Sequence, residues 1–133
     1  MEYTTEGIRN LALVGHAGAG KTTLAESLLH DAGAINTPGV VEKGSTVTDF
    51  DELEQKHQHS LTAALASFDY QGRRINLIDT PGYPDFIGTA LSVLPAVETV
   101  AIVINAQRGV ESSARRMMDS VRQRNQCAMI VIN

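Results

Sequence analysis

Cysteine is almost missing from this sequence, because Cys127 is the single thiol among 133 residues. One thiol excludes an internal disulfide and a metal site built from cysteines alone. An excess of positive charge is missing too, since 11 basic residues stand against 15 acidic ones and the net charge is −4. The chain therefore has no overall positive field with which to coat nucleic acid or a membrane, and we expect no sequence-specific DNA binding.

Long hydrophobic runs are also absent. No apolar run approaches the roughly 20 residues that a membrane-spanning helix needs, and residues 1–9 lack the basic and apolar blocks of a signal peptide. A hydrophobic content of 43% fits a single globular domain with a substantial core. We therefore expect one domain in a reducing, cytoplasmic setting, with no membrane partner.

The apolar segments predict an α/β fold. Patterns typical of strands cover residues 8–14, 61–70, 74–78, 97–105 and 127–132, and patterns typical of helices cover residues 22–32, 85–93 and 109–124. Because strands and helices mostly alternate, we expect a mostly parallel sheet with helices on both faces.

Two parts of the chain fall outside this alternation. Residues 35–58 are polar with weak periodicity, which predicts a long loop that is functional or mobile. The chain stops at Asn133, directly after a strand that we predict to be buried, with Cys127 as an inert thiol in it. A doubly wound domain rarely ends at such a strand, so we expect a fragment that is truncated after the fifth strand.

A glycine-rich loop follows the first predicted strand. Eight consecutive residues match the P-loop pattern G-x-x-x-x-G-K-[ST]: Gly15, His16, Ala17, Gly18, Ala19, Gly20, Lys21 and Thr22. Small residues let the backbone wrap a phosphate group, and the helix that follows adds the positive end of its dipole. Lys21 would reach the β- and γ-phosphates, and the Thr22 hydroxyl would bind Mg²⁺. The flanking strand and helix favour this interpretation over a glycine-rich turn with an exposed lysine.

A second motif, Asp79-Thr80-Pro81-Gly82, follows the strand at 74–78. In P-loop NTPases an Asp at the end of a neighbouring strand holds Mg²⁺, and a Gly three residues later can offer its N–H to the γ-phosphate. The alternative is a capping Asp in a Pro-Gly turn. The distance from the phosphate loop and the helix that follows favour the nucleotide interpretation.

Together these motifs resemble the GTPase domain of bacterial elongation factor G. The similar segments are residues 10–29, 49–55, 75–87 and 100–133. The letters DTPGYPDF at 79–86, in place of the usual DTPGH-V-DF, are similar to the divergent elongation factor G-like proteins. The resemblance implies a P-loop NTPase with the Ras-like G-domain fold, a GTP/GDP switch, Mg²⁺ and a ribosomal partner.

The resemblance also implies an organisation for the chain. Residues 1–133 would be a partial G domain, with the phosphate loop at 15–22, the first switch at about 35–62 and the second switch at 79–94. The guanine-reading motif Asn-Lys-x-Asp would begin at Asn133, so its base-reading Asp and the later domains are absent from the sequence.

Site residues are carried over position by position. The expected nucleotide-binding set is the whole phosphate loop with Thr23, Asp79, Gly82 and Asn133. The expected catalytic residues are Lys21, Gly82 and Tyr83. The expected Mg²⁺ ligands are Thr22, Ser60 and Asp79. Ser60 follows from an ungapped alignment through residues 49–55, and a shifted register would make Thr62 the ligand instead.

Two departures from the family bear on catalysis. Gly18 stands where translation factors usually carry an Asp that supports a monovalent cation beside the phosphates. Tyr83 stands where the family has a His that positions the attacking water. A phenol can hydrogen-bond a water, but it remains neutral and cannot supply an imidazolium. We expect slow hydrolysis with nucleotide binding retained, unless Tyr83 is only a packed aromatic residue.

The sequence therefore predicts a GTP-binding and GTP-hydrolysing switch that acts on the ribosome in translation. One alternative is a nucleotide-gated ribosome-binding module with negligible hydrolysis, and another is a P-loop protein that uses ATP. His57 and His59 are two residues apart, but no further ligands lie near them in sequence, so we interpret them as parts of a solvated loop rather than as a zinc pair.

Overall fold

One five-stranded sheet organises the chain in the computed structural model, which describes residues 3–48 and 62–133. Its strands are Ile8–Gly15 (β1), Ala64–Tyr70 (β2), Arg73–Asp79 (β3), Thr99–Ile104 (β4) and Cys127–Ile132 (β5). Their spatial order is β2-β3-β1-β4-β5. Only the β2–β3 pair is antiparallel, and the other three pairs are parallel. The predicted mostly parallel sheet is confirmed.

Within residues 3–48 and 62–133, three α-helices cover the sheet: Lys21–Asp31 (α1), Ile87–Val93 (α2) and Ser112–Gln123 (α3). Short 3₁₀ turns lie at Thr5–Gly7, Val41–Lys43, Pro84–Phe86 and Leu94–Ala96. The helix predicted at 85–93 thus begins as a 3₁₀ turn, with Pro84 at its first position, where no intrahelical acceptor is available for a backbone N–H.

Apolar side chains on the two faces of the sheet form two separate cores. Successive residues of a strand face opposite sides, so Leu13 and Val14 of β1 belong to different cores. On one face the core includes Val14 and Met117, from β1 and α3. On the other it includes Leu13 and Leu29, from β1 and α1. Helices therefore cover both faces, as predicted.

The β2–β3 hairpin turns at the predicted place. Gln71 and Gly72 both have positive φ, 48° and 75°, which suits the tight two-residue turn of a twisted hairpin. β2 begins at Ala64, and residue 61, where we predicted its start, lies outside the described residues.

The prediction that the last strand is buried is wrong. Cys127 is exposed, and Ile130 and Ile132 are 56% and 73% exposed. The reason is position, because β5 pairs with β4 on one side and no described residue pairs with its other side. Apolar composition marks a strand but does not say which of its faces and edges are covered. The expectation that the Cys127 thiol is buried is therefore wrong as well.

Candidate functional site

The glycine-rich loop connects the carboxyl end of β1 to the amino end of α1. Gly15 ends the strand and Lys21 begins the helix. Gly20 caps the helix in the left-handed conformation, at φ 88°, and its carbonyl accepts the first helical hydrogen bond from Leu24 N at 2.8 Å. An 11-residue helix thus directs its positive end at the loop, which is the arrangement that binds phosphate.

The Lys21 side chain is buried over the loop, with 6% of its surface exposed. Its Nζ donates to the Gly15 carbonyl at 3.1 Å and to the His16 carbonyl at 2.9 Å. Burial lowers the pKa of this ammonium group below its ordinary value, and the negative charge of Asp79 opposes that shift. Backbone carbonyls therefore hold the Lys21 ammonium group at the loop, although its burial costs hydration free energy.

Thr22, in the first turn of α1, is in contact with Asp79, at the carboxyl end of β3. The Thr22 hydroxyl donates to Asp79 Oδ2 at 2.6 Å, and the carboxylate is 1% exposed. Parallel pairing of β1 with β3 places Asp79 opposite Leu13, and the Thr80 hydroxyl donates to the Leu13 carbonyl at 2.7 Å. The two motifs, 57 residues apart in sequence, are thus held together by the strands that precede them.

The oxygen donors of this pair fit Mg²⁺. A hydroxyl and a carboxylate are ligands that the ion prefers, and it usually takes one or two protein groups beside phosphate oxygens and water. No group of three or more His, Cys, Asp or Glu side chains that could hold a metal occurs among the described residues. The chemistry of Thr22 and Asp79 therefore suits a magnesium-nucleotide complex rather than a metal held by protein groups alone.

The turn after Asp79 lies against the phosphate loop. A Cβ added to Gly82 would overlap Lys21 Nζ, and it would lie 2.6 Å from Ala17 N and 2.7 Å from the His16 carbonyl carbon. Only a glycine allows this approach. Tyr83, next in the chain, is 40% exposed.

The carboxyl ends of β4 and β5 also reach the loop. Asn133 Nδ2 donates to the Ala19 carbonyl at 3.0 Å, and its backbone is hydrogen-bonded to Ile104 and Ala106.

Asn105 Nδ2 donates to the Gly18 carbonyl at 3.4 Å, and its backbone N–H donates to His16 Nε2 at 3.4 Å. Asn105 is not among the site residues predicted from the sequence, although a polar residue at the end of the strand beside β1 is a signal for this edge of an α/β sheet.

The first switch is described only in part. Ser60 lies outside the described residues, as do His57 and His59, while Thr62 is exposed just before β2. Thr48, which the sequence analysis also missed, is 2% exposed, and its hydroxyl lies 3.5 Å from Asp79 Oδ2. No local signal distinguishes Thr48 from the other threonines of this polar segment.

The structure thus brings most of the expected nucleotide-binding residues to one edge of the sheet. The phosphate loop, Asp79, Gly82 and Asn133 lie together there. Thr23 lies in the first turn of α1 and is exposed.

A family profile matches this arrangement of loop, strands and helices. The Elongation factor Tu GTP binding domain matches residues 6–133. The chain belongs to this family. The fold expected for a P-loop G domain and the resemblance to elongation factor G-like proteins are therefore confirmed.

Individual relatives agree with the family. An elongation factor G-like protein of Mycobacterium tuberculosis is 43% identical over 126 residues, which are 95% of this chain and 18% of that protein. Tetracycline resistance protein TetW of Butyrivibrio fibrisolvens is 40% identical over 126 residues, which are 95% of this chain and 20% of that protein. The chain spans about a fifth of the length of these relatives.

A solved structure shows the same fold. A crystal structure of a protein from Thermus thermophilus superimposes with a TM-score of 0.90 at 37% identity, covering 94% of this chain and 19% of that one. Over the described ranges, no helix of this GTP-binding domain has the length and apolar character needed to cross a membrane.

Proposed function

We propose that this chain is the nucleotide-binding part of a GTP-driven switch of the elongation factor G-like type. The observation that carries the proposal is the 2.6 Å contact of Thr22 with Asp79, beside the buried ammonium group of Lys21. One cation and two oxygens of the kind that Mg²⁺ prefers thus lie near the amino end of α1. The elongation-factor name of the family and of its relatives supports a ribosomal partner and a cytoplasmic setting for the longer protein.

Each residue has a defined task in this proposal. Lys21 exchanges its contacts with the Gly15 and His16 carbonyls for contacts with the β- and γ-phosphates. Thr22 and Asp79 hold Mg²⁺, which when bound neutralises developing charge on the phosphates. Gly82 offers its N–H to the γ-phosphate, so the second switch senses whether that group is present. Asn133 holds the loop in shape through the Ala19 carbonyl.

The proposal keeps the three segments that the sequence suggests. The phosphate loop is residues 15–22, the first switch is about 35–62 and the second switch is 79–94. Ser60 remains the proposed first-switch ligand of Mg²⁺. Loss of the γ-phosphate would release the proposed contacts of Ser60 and Gly82, because these contacts exist only while that group is bound.

Titration with a fluorescent GDP analogue tests the proposal. We expect saturable binding that Mg²⁺ strengthens and that unlabelled GTP and GDP displace. A chain that binds no nucleotide in this assay would contradict the proposal for these residues. Displacement by ATP and ADP in preference to GTP and GDP would instead favour the alternative of an ATP-using P-loop protein.

Hydrolysis is expected to be slow because Tyr83 replaces a histidine. We expect Tyr83→His in the full-length protein to raise ribosome-stimulated GTP turnover by about tenfold or more, since one positioned group typically contributes roughly 10²- to 10⁴-fold. Single-turnover hydrolysis with purified ribosomes measures the effect. The control is Tyr70→His, because Tyr70 is an exposed tyrosine on β2. Fast turnover by the native protein would contradict slow hydrolysis. Negligible turnover by both proteins would favour a nucleotide-gated binding module.

A further inference from the structure

Glu26 is a buried carboxylate that the proposed nucleotide chemistry does not use. It lies in the second turn of α1 and is 1% exposed. A carboxylate is rarely buried to this extent unless its charge is compensated. No basic side chain within residues 3–48 and 62–133 forms an ion pair with it. Its compensation comes from the backbone instead.

Both oxygens of Glu26 accept hydrogen bonds from one loop. Gly39 N donates to Oε2 at 2.7 Å, and Val47 N donates to Oε1 at 2.5 Å. Short bonds from two N–H groups to an ionised carboxylate are among the stronger hydrogen bonds in proteins. The carboxylate therefore fastens two separate points of this loop to α1.

The fastened loop is also closed on itself. Ser45 Oγ accepts a hydrogen bond from Val40 N at 2.9 Å. A Cβ added to Gly39 would overlap the Ser45 carbonyl and would lie 2.6 Å from Thr46 Cα. The two ends of the loop thus touch at its base, and Glu26 contacts that base.

The residue after this loop, Thr48, has its hydroxyl at the proposed magnesium site. Thr48 follows Val47 directly, and its Oγ1 lies 3.5 Å from Asp79 Oδ2, the oxygen that also accepts the Thr22 hydroxyl. Thr22 and Glu26 are four residues apart on α1, so they lie on one face of the helix. One face of α1 therefore carries both Thr22, a proposed Mg²⁺ ligand, and Glu26, whose carboxylate binds the residue next to Thr48.

We propose that Glu26 is a positioning residue that sets the Mg²⁺ affinity of the nucleotide site by clamping the loop 39–47 and so seating Thr48 at Asp79. This inference rests on the proposed function, because it concerns the same magnesium-nucleotide site. Glu26 touches neither nucleotide nor metal in this role. It acts through the backbone of Gly39 and Val47.

Glu26→Gln is the decisive variant, because the amide keeps the size of the side chain but turns an –NH₂ group toward one of the two backbone donors. We expect the Gly39 and Val47 amides to exchange with solvent about tenfold faster without nucleotide, while the core of α1 stays protected. Mg²⁺ is expected to slow the release of a fluorescent GDP analogue. We expect the Mg²⁺ concentration that gives half of this effect to rise about tenfold, while the release rate in EDTA changes little. Asp31→Asn is the matched control, since it removes the same charge from an exposed position on α1.

A second variant separates clamping from coordination. Thr48→Val should leave exchange at Gly39 and Val47 unchanged and raise the Mg²⁺ requirement as Glu26→Gln does. Unchanged exchange at both amides in Glu26→Gln would overturn the clamp. Faster exchange with an unchanged Mg²⁺ requirement would overturn the positioning role. Failure of the native chain to bind the analogue would overturn the proposed function and the magnesium role together, whereas the exchange measurement would still report on the clamp.

Discussion

Lys21→Met is expected to reduce affinity for GDP about 100-fold or more while leaving the chain at least as stable as before. The lost affinity follows from removing charge-assisted hydrogen bonds to phosphate, each worth about 1.5–3 kcal/mol. Stability is expected to hold because Lys21 is 6% exposed and burial lowers the pKa of its ammonium group. Methionine has a similar length and needs no hydration. Fluorescence titration and urea unfolding measure the two effects.

The pH dependence of the same pair of proteins gives a separate check. The folded-state pKa of Lys21 lies below 10.5, so between that pKa and 10.5 the unfolded chain binds more protons than the folded chain. The destabilising contribution is fully present below the folded-state pKa and is relieved as the pH rises toward 10.5. The advantage of Lys21→Met over the native chain should therefore shrink with rising pH. An advantage that grows with pH would contradict a buried, destabilised ammonium group.

The part of the site that could be predicted from sequence is the part that local motifs encode. The phosphate loop and Asp79 each follow a strand and precede a turn or helix, so their place at the carboxyl edge of a parallel sheet follows from the fold class alone. The alternation of apolar segments likewise predicted strands, helices and covered faces.

Contacts between distant segments could not be predicted in the same way. Glu26 looks like an ordinary helix residue in the sequence, because nothing in α1 shows that Gly39 and Val47 will direct their N–H groups at it. Thr48 and Asn105 likewise gain their places only when the sheet brings them to the loop. Burial of β5 was predicted wrongly because it depends on which chain segments lie beyond the strand.

Gly15→Ala is expected to destabilise the fold by about 3 kcal/mol or more, which is far above the effect of a typical substitution. Two independent costs add. The backbone at Gly15 has φ 145°, a conformation that a residue with a Cβ rarely adopts. The new Cβ would also overlap the Val103 carbonyl, which is part of the β1–β4 ladder and cannot rotate away. Relief would require these two central strands to separate at the point where the phosphate loop begins.

Two other glycines separate these costs. Gly33 has φ 73° and no atom within 4 Å of the place where a Cβ would lie, so Gly33→Ala should cost about 1–2 kcal/mol from backbone strain alone. Gly88 lies in α2 with neither a positive φ nor a close neighbour, so Gly88→Ala should be neutral or stabilise the chain by up to about 1 kcal/mol. Urea unfolding of the three variants should therefore rank Gly88→Ala as the most stable and Gly15→Ala as the least. Equal losses for Gly15→Ala and Gly33→Ala would mean that β1 and β4 can yield at Val103, and the phosphate loop would then be less firmly anchored to the sheet than its contacts imply.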